Sequence, residues 1–187
     1  MLNKVKSLPD RWQAGRLFSG KKYIIITIAL ALVVIISGCA KVTTKEENPV
    51  LYFSSTEYNT SVGSYVQITV KIDNAENLFA CSMVIQYTTS KVDYEVGSLT
   101  AGSFWPVNLV KMSKEDGVGL SVCVGLKQTA VSDGITGSGS LFSFRLEGKN
   151  TGETALTITN VYLLDEDANY IENFDELEKE SSKVVVS

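Results

Sequence analysis

Apolar and polar residues alternate in short segments over most of the chain after residue 50. In residues 65–72, the apolar side chains of Val66, Ile68, Val70 and Ile72 recur at every second position. A period of two places alternate side chains on opposite faces of a strand, so such a segment is predicted to be a half-buried β-strand. Further segments show the same period or a shorter apolar run: 50–53, 79–87, 107–112, 119–125, 141–146, 154–158, 161–164 and 184–186.

Turn-forming residues separate these segments. Gly, Asn, Asp and Ser are concentrated in several stretches: 61–64, 73–74, 115–117, 133–134, 137–139 and 149–152. Short alternating strands at regular spacing with such turns indicate a β-sandwich. No long segment has helical periodicity, and only residues 175–180 are compatible with a helical turn.

The first 38 residues have a different character. Residues 1–22 contain six cations and one acid, and residues 23–36 are apolar except for Thr27. A basic region before a 14-residue apolar core is typical of a secretory signal, and this core is short against the ~20 residues of a spanning helix. The core ends in Ile36-Ser37-Gly38-Cys39, which resembles the lipobox of bacterial lipoproteins.

The lipobox resemblance implies a lipid on Cys39 and cleavage after Gly38. The expected organisation is a lipoprotein signal peptide at 1–38, a lipid-anchored tether at 39–49 and a globular domain at 50–187. The domain would be held at the cell membrane on its extracytoplasmic face. An uncleaved signal anchor with a chance cysteine is the alternative.

Charge and composition exclude several kinds of function. The whole chain has a net charge of −4, but after Gly38 it contains eleven cations and twenty acids, a net charge of −9. Nucleic acids and anionic lipids repel such a domain. The chain has no histidine, which removes the usual general base and the commonest zinc ligand. We therefore expect no enzymatic activity, no cofactor and no metal site.

The order and spacing of the segments resemble the cohesin family, the bacterial modules that bind dockerin domains. The similarity begins with LYFSSTEYNTSVGSYVQITVKIDNAENLFACSMVIQY and returns in GSGSLFSFRLEGKNTGETALTITNVYLLDEDAN. It implies an all-β, nine-stranded, jelly-roll-like sandwich without catalysis. It also implies a dockerin-containing partner that carries its own calcium and docks on the face formed by strands 8, 3, 6 and 5.

The alternation predicts which side chains form that outer face. If Cys81, Met83 and Ile85 point inward, their neighbours in the strand point outward. The predicted partner-binding residues are Ser82, Val84, Gln86, Ser121, Cys123, Ser143 and Arg145. Many cohesins have Asn and Asp where this chain has Ala80 and Ser82, so the partner's class stays open.

Three other features have competing interpretations. Asp165, Asp167 and Asn169 have the spacing of a calcium loop, but Tyr170 replaces the glycine of the sharp turn, so a simple turn is favoured. Cys81 and Cys123 are predicted to point to opposite sides of the sheet and to stay unbridged.

Phe104 and Trp105 offer either a sugar-binding platform or a hydrophobic plug. A carbohydrate-binding lipoprotein is therefore the alternative function. A structural surface protein that has lost its partner is a third.

Overall fold

The computed structural model describes residues 48–106, 109–127, 133–171 and 178–187, which belong to one compact unit, Glu46–Ser187. The described residues form strands and turns and no helix. The strands are β1 (Val50–Phe53), β2 (Glu57–Thr60), β3 (Tyr65–Leu78), β4 (Ala80–Gln86), β5 (Val92–Tyr94), β6 (Thr100–Ala101), β7 (Leu109–Asp116), β8 (Gly119–Leu126), β9 (Ile135–Gly148), β10 (Gly152–Leu164), β11 (Glu178–Lys179) and β12 (Ser182–Val186).

These strands form two six-stranded sheets. One has the order β11-β1-β3-β9-β5, with β6 also pairing β9, and the other has the order β2-β12-β10-β4-β8-β7. Most pairs are antiparallel, whereas β11 joins β1 and β12 joins β2 in parallel. Consecutive segments β1 and β2 therefore belong to different sheets.

The core lies between the two sheets, where the inward side chains meet. Alternation is regular in β4, in which Cys81, Met83 and Ile85 are almost fully buried and their neighbours are half-exposed. Phe142 and Phe144 of β9 are among the largest side chains with no exposed surface. This is the pattern expected of a sandwich whose inner faces interdigitate.

The all-β prediction is confirmed, but the strand count differs from nine. The described residues form twelve strands: the segments predicted at 154–158 and 161–164 are one continuous strand, β10, and four strands were not predicted, namely β2, β5, β6 and β11. The turns predicted at 73–74 and 137–139 are instead irregularities inside the long strands β3 and β9. Asn74 there adopts a positive φ of 56°, which asparagine tolerates better than most residues.

Several predictions lie outside the described residues. These include the signal segment, Cys39 and nearly all of the tether, as well as residues 175–177 of the predicted helical turn, whose next residues form strand β11 instead. Within the described part of the chain, no helix is long and apolar enough to cross a membrane.

Candidate interaction face

The outer side of β10, β4, β8 and β7 is a four-stranded surface, which we call the front face. The registers of these strands align their outward side chains in rows that run across the sheet. In the order β10, β4, β8, β7 the rows are Leu164–Ala80–Gly125–Val110, Tyr162–Ser82–Cys123–Met112, Thr159–Val84–Ser121–Lys114 and Thr157–Gln86–Gly119–Asp116.

Side-chain size varies across these rows. The two middle strands, β4 and β8, present mostly small residues, whereas the outer strands present larger ones. Gly125 and Ala80 are so close that a Cβ on Gly125 would lie 2.8 Å from the Cβ of Ala80. A Cβ on Gly119 would lie 2.1 Å from the carbonyl oxygen of Ile85. The front face is therefore a shallow trough whose floor is β4 and β8 and whose walls are β10 and β7.

One end of the trough is apolar. Met112 is 61% exposed on the β7 wall and Tyr162 is 48% exposed on the β10 wall. Val110 is 43% exposed beside Met112, and the ring of Tyr170 lies 5.8 Å from the ring of Tyr162. Half of the large apolar side chains that are exposed in the described residues are gathered here. Singly exposed apolar residues are ordinary, but a cluster of this kind marks a binding surface.

The opposite end of the trough is polar. Lys114 and Asp116 form the β7 wall, and Thr157 and Gln86 lie across from them. The Asp116 carboxylate accepts hydrogen bonds from the backbone N–H groups of Val118 and Gly119, which close the turn to β8. The front face therefore has two chemically different halves.

Polar contacts on the inner side of β7 fix this wall. Lys111 donates to the carbonyl oxygen of Leu99 at 2.7 Å, and Ser113 lies 2.9 Å from the hydroxyl of Tyr94. Tyr87 donates to the carboxylate of Glu115 at 2.6 Å. Burial and the neighbouring Glu115 carboxylate raise the pKa of Tyr87, so this tyrosine stays protonated and keeps donating.

An acidic loop adjoins the apolar end. It begins immediately after β10, where the Asp165 carboxylate accepts backbone N–H bonds from Asp167 and Asn169. This arrangement is an Asx-type turn, which agrees with the turn predicted for these residues. The described residues contain no group of three or more acidic, cysteine or histidine side chains placed to hold a metal ion.

The two cysteines lie on opposite sides of the front sheet, as parity predicts, and both are free thiols. Cys81 is in the core, where burial raises the pKa of its thiol to about 12. Cys123 is half-buried in the trough floor, next to Ser82 in its row. Partial burial also raises the pKa of the Cys123 thiol.

The structure brings together five of the seven predicted partner-binding residues. These five are Ser82, Val84, Gln86, Ser121 and Cys123, and all are half-buried in the trough floor. The sequence alternation was therefore sufficient to identify the outward residues of β4 and β8.

The placement of Ser143 and Arg145 on this face was wrong. Both belong to β9, which pairs with β3 in the other sheet. Their outward side is the back face, defined as the outer surface of β1, β3, β9 and β5. Alternation predicts whether a side chain points in or out, but sheet membership depends on distant pairing that alternation does not encode.

Side chains of the back face form hydrogen bonds and an ion pair with one another. Arg145 forms an ion pair with Glu95, in which Nη2 donates to Oε1 at 2.7 Å, and its guanidinium lies 5.5 Å from the ring centre of Tyr65. The buried hydroxyl of Ser143 is within 2.7 Å of Thr100 and accepts from Gln67 at 3.1 Å.

Sequence reasoning missed the trough walls. Met112 and Tyr162 were not among the predicted partner-binding residues, although both are bulky apolar residues at outward positions. The sequence does contain a sign that Tyr162 points outward. Inward apolar residues recur at every second position up to Ile158, but the next one is Val161 and not residue 160, so the alternation shifts by one residue. The structure has a β-bulge there, with Asn160 at a φ of 49°, inside one continuous strand.

The predicted sugar platform is not present at Phe104 and Trp105. The two rings are only 7% and 5% exposed and meet edge to face at 5.0 Å. Trp105 Nε1 donates to the carbonyl oxygen of Leu141 at 2.8 Å. The pair is a hydrophobic plug, which was the competing interpretation. The carbonyl oxygen of Leu141 supplies the hydrogen-bond acceptor that a buried indole N–H needs.

The described residues thus form a β-sandwich with a filled core and a trough on one outer face. A family model described as the cohesin domain matches residues 53–173. This is more than half of the chain, and the chain therefore belongs to the cohesin family. Counting β1 and β2 as one strand and omitting β6 and β11, the front face consists of the eighth, third, sixth and fifth strands.

Solved cohesin structures share this fold. A non-cellulosomal cohesin from the archaeon Archaeoglobus fulgidus is 21% identical, with 75% of this chain and 92% of that chain covered and a TM-score of 0.59. The sixth cohesin of scaffoldin B from Acetivibrio cellulolyticus, solved with a Cel5 dockerin mutant, is 16% identical, with 75% and 100% covered and a TM-score of 0.59.

A cohesin–dockerin complex from Clostridium thermocellum is 12% identical, with 79% and 98% covered and a TM-score of 0.60. No curated protein matches the chain.

Proposed function

We propose that this protein is a non-catalytic, lipid-anchored binding protein whose front face docks a dockerin-containing partner. The observation that carries the proposal is the combination of a cohesin fold with a formed trough on the eighth, third, sixth and fifth strands. Solved relatives described as cohesin–dockerin complexes support the choice of partner. In the family resemblance, the calcium of such a pair belongs to the dockerin.

The chemistry of the trough suits a protein partner. Its floor offers hydroxyl and amide groups at Ser82, Ser121 and Gln86, and its apolar end offers bulky side chains. Interfaces commonly combine an apolar centre with a hydrogen-bonding rim. The tyrosine pair is less suited to sugar, because the ring planes of Tyr162 and Tyr170 are inclined by 42° and do not form a flat platform.

Matched substitutions on the two faces test the docking site. Thr159 of the front face and Thr69 of the back face are both half-buried on central strands. We expect Thr159→Arg to abolish calcium-dependent capture of dockerin proteins of the source organism, because the new side chain obstructs the trough. Thr69→Arg should leave capture intact. If the two variants capture dockerin proteins equally well, the proposed face is refuted. If the wild-type chain captures none, the proposed partner is refuted.

We also propose that lipid on Cys39 holds the protein at the extracytoplasmic side of the cell membrane. The support is the basic region, the 14-residue apolar core and the small residues before Cys39. Residues 40–49 would then span at most about 35 Å, at ~3.5 Å per residue, so the binding domain would work close to the bilayer.

Fractionation of cells tests the anchor. Cys39→Ser should move the folded protein out of the membrane fraction, whereas Cys123→Ser, a matched change in the trough floor, should not. Mass analysis of the membrane-bound wild type should show a lipid-modified amino-terminal cysteine. A processed Cys39→Ser protein that stays membrane-bound would contradict lipid attachment.

A further inference from the structure

Strand β7, which forms one wall of the trough, is attached to the domain differently from the other strands. We infer that β7 opens from β8 as a unit while the rest of the sandwich stays folded, and that the carboxylate of Glu115 is the positioning group that keeps it closed. The opening concerns the free protein, whereas its effect on a docked partner rests on the proposed function.

No residue of β7 is buried. Each of its eight residues is exposed or half-buried, and among the described strands of three or more residues it is the only strand of this kind. By contrast β2, the strand at the other edge of the same sheet, buries Tyr58 and Thr60. An edge strand is bonded to a neighbouring strand along one side only. β7 is therefore held by its ladder with β8 and by the contacts of its inward side chains.

The inner side of β7 is mostly polar. The positions that lie opposite buried residues of β8 are Leu109, Lys111, Ser113 and Glu115. Only Leu109 is apolar, and it is half-buried. Removing an apolar side chain from a core exposes it to water at a cost, whereas polar groups that leave one another form hydrogen bonds to water instead. The separation of β7 thus exposes little apolar surface of the strand itself, which is the character of a segment that opens locally.

Glu115 makes the most extensive of the inner contacts. Its Oε1 accepts hydrogen bonds from the hydroxyl of Tyr87 at 2.6 Å and from the backbone N–H of Tyr94 at 3.1 Å. Tyr87 follows β4 in the same sheet, whereas Tyr94 belongs to β5 in the other sheet. One carboxylate therefore joins β7 to both sheets, and hydrogen bonds to a charged acceptor are stronger than bonds between neutral groups. Loss of this carboxylate leaves two donors without an acceptor and favours the open strand.

Opening of β7 would remove one wall of the trough. Val110 and Met112 lie on the outer side of β7, so both leave the front face with the strand. A partner that contacts this wall binds only the closed state, and a ligand that binds one of two states shifts the population toward that state. Docking on the front face is therefore expected to suppress the opening. A variant that opens more often should bind a dockerin more weakly.

Hydrogen exchange measured residue by residue with NMR tests the opening. The backbone N–H groups of β8 point alternately toward β7 and toward β4, and opening of β7 exposes only the first set. We expect the β8 amides that face β7, and the β7 amides bonded to them, to share protection factors at least roughly tenfold below those of the β8 amides that face β4. Equal protection of both sets of β8 amides would overturn the inference.

Substitutions test the role of Glu115. Glu115→Ala should lower the protection factors of β7 by roughly tenfold or more, and Glu115→Gln, which keeps an acceptor oxygen, should recover most of the loss. Tyr87→Phe removes one donor only and replaces Glu115→Ala if that variant is unfolded. The control is Glu57→Ala, which removes a glutamate of β2 at the opposite edge of the sheet. Unchanged protection of β7 in Tyr87→Phe and in folded Glu115→Ala, or an equal loss in Glu57→Ala, would overturn the role of Glu115.

A calcium-loaded dockerin module of the source organism distinguishes this inference from the proposed function. At saturation it should raise the protection factors of β7 at least roughly tenfold, because the bound state is closed. A dockerin that binds and leaves the exchange of β7 unchanged would overturn the coupling between opening and docking. If no dockerin binds, the proposed function and the coupling both fail, and the exchange pattern of the free protein decides the opening on its own.

Discussion

The front and back faces are built from the same kind of strand but use their side chains differently. On the back face, Arg145 pairs with Glu95, Tyr52 donates to Asp73 at 3.2 Å, and the ammonium of Lys71 lies 5.5 Å from the Tyr52 ring centre. On the front face, no hydrogen bond joins two outward side chains in the rows that the structure describes. Back-face side chains therefore satisfy one another, whereas in the front-face rows Asp116 and Thr159 bond to backbone groups and not to neighbouring side chains.

The difference explains why residue type alone is a poor guide to a binding surface. The back face carries a charged pair and two tyrosines, but Ser143 and Arg145 entered the predicted site only because their strand was taken as the eighth strand of the family resemblance. Its bonds are local and tie neighbouring strands together. The front face has small residues of modest chemistry, and its shape distinguishes it.

Filling the trough is the strongest test of this contrast. Ser82→Trp should weaken dockerin binding at least 100-fold, which corresponds to ~2.7 kcal/mol, because the indole occupies the space above the floor. Gln67→Trp, a large ring on the exposed back face, should change binding less than twofold. Isothermal titration calorimetry measures both, and unequal thermal stability of the two variants would have to be corrected first. A Ser82→Trp protein with wild-type affinity would disprove the docking face.

Thiol labelling distinguishes the outer side of the front sheet from its inner side. A thiol reagent should modify the half-buried Cys123 in the folded protein and leave the buried Cys81 unmodified until unfolding. Bound dockerin should slow the labelling of Cys123 at least tenfold, because the trough floor becomes covered. Mass spectrometry of the peptides gives both rates. Unchanged labelling in a saturated complex would place the partner elsewhere.

Alkaline unfolding tests the inner side alone. Burial raises the pKa of Cys81 from an ordinary 9.0 to about 12. Below pH 9 the thiol is protonated in both states, and the folded state keeps its full stability. Between pH 9 and 12 the unfolded thiol ionises first, so the free energy of unfolding falls by up to ~1.4 kcal/mol per pH unit.

Urea titrations at pH 8, 9 and 10 measure that slope. Cys81→Ala should make the slope shallower, and Cys123→Ala should change it much less because Cys123 is half-exposed. The slope is compared within each variant, since Cys81→Ala also leaves a cavity. Identical slopes in all three proteins would show that Cys81 ionises in the folded state as easily as in the unfolded state.

The smallest effect is expected on the back face. Arg145→Ala removes a half-exposed ion pair and should lower the free energy of unfolding by less than about 1 kcal/mol. Dockerin affinity should not change, because Arg145 lies on the opposite sheet. Denaturant unfolding and calorimetry check the two statements. A loss of affinity without a loss of stability would return Arg145 to the interaction site.

The sequence predicted much of the local structure and little of the long-range pairing. Alternation correctly gave the inward Cys81, Met83 and Ile85 and the outward Ser82 and Val84, because strand geometry is a local property. It could not assign β9 and β10 to different sheets, because both strands alternate in the same way. Their partners, β3 and β4, are more than 50 residues away along the chain.

The trough could not be predicted from the alternation of apolar and polar residues. Its walls depend on the register that aligns Met112 with Cys123 and Tyr162 with Ser82, and a register is fixed by the whole pair of strands. The bulge at Asn160 adds a second condition, since without it Tyr162 would point into the core. Interpretation of the phase change as one bulged strand, rather than two strands, would have recovered Tyr162.

The division of the first strand into β1 and β2 has a mechanical consequence. A tether that joins the domain at Val50 and a partner seated on β4 and β8 would apply tension between the two sheets. That tension would reach β1, held by β3 and β11, and then β2, held by β12 in the sheet that carries the partner. Because β11 and β12 run parallel to these two segments, a pull along the chain slides neighbouring strands past each other and loads several hydrogen bonds at once. Strands β1 and β2 would thus connect both sheets and resist their mechanical separation when the bound partner is pulled.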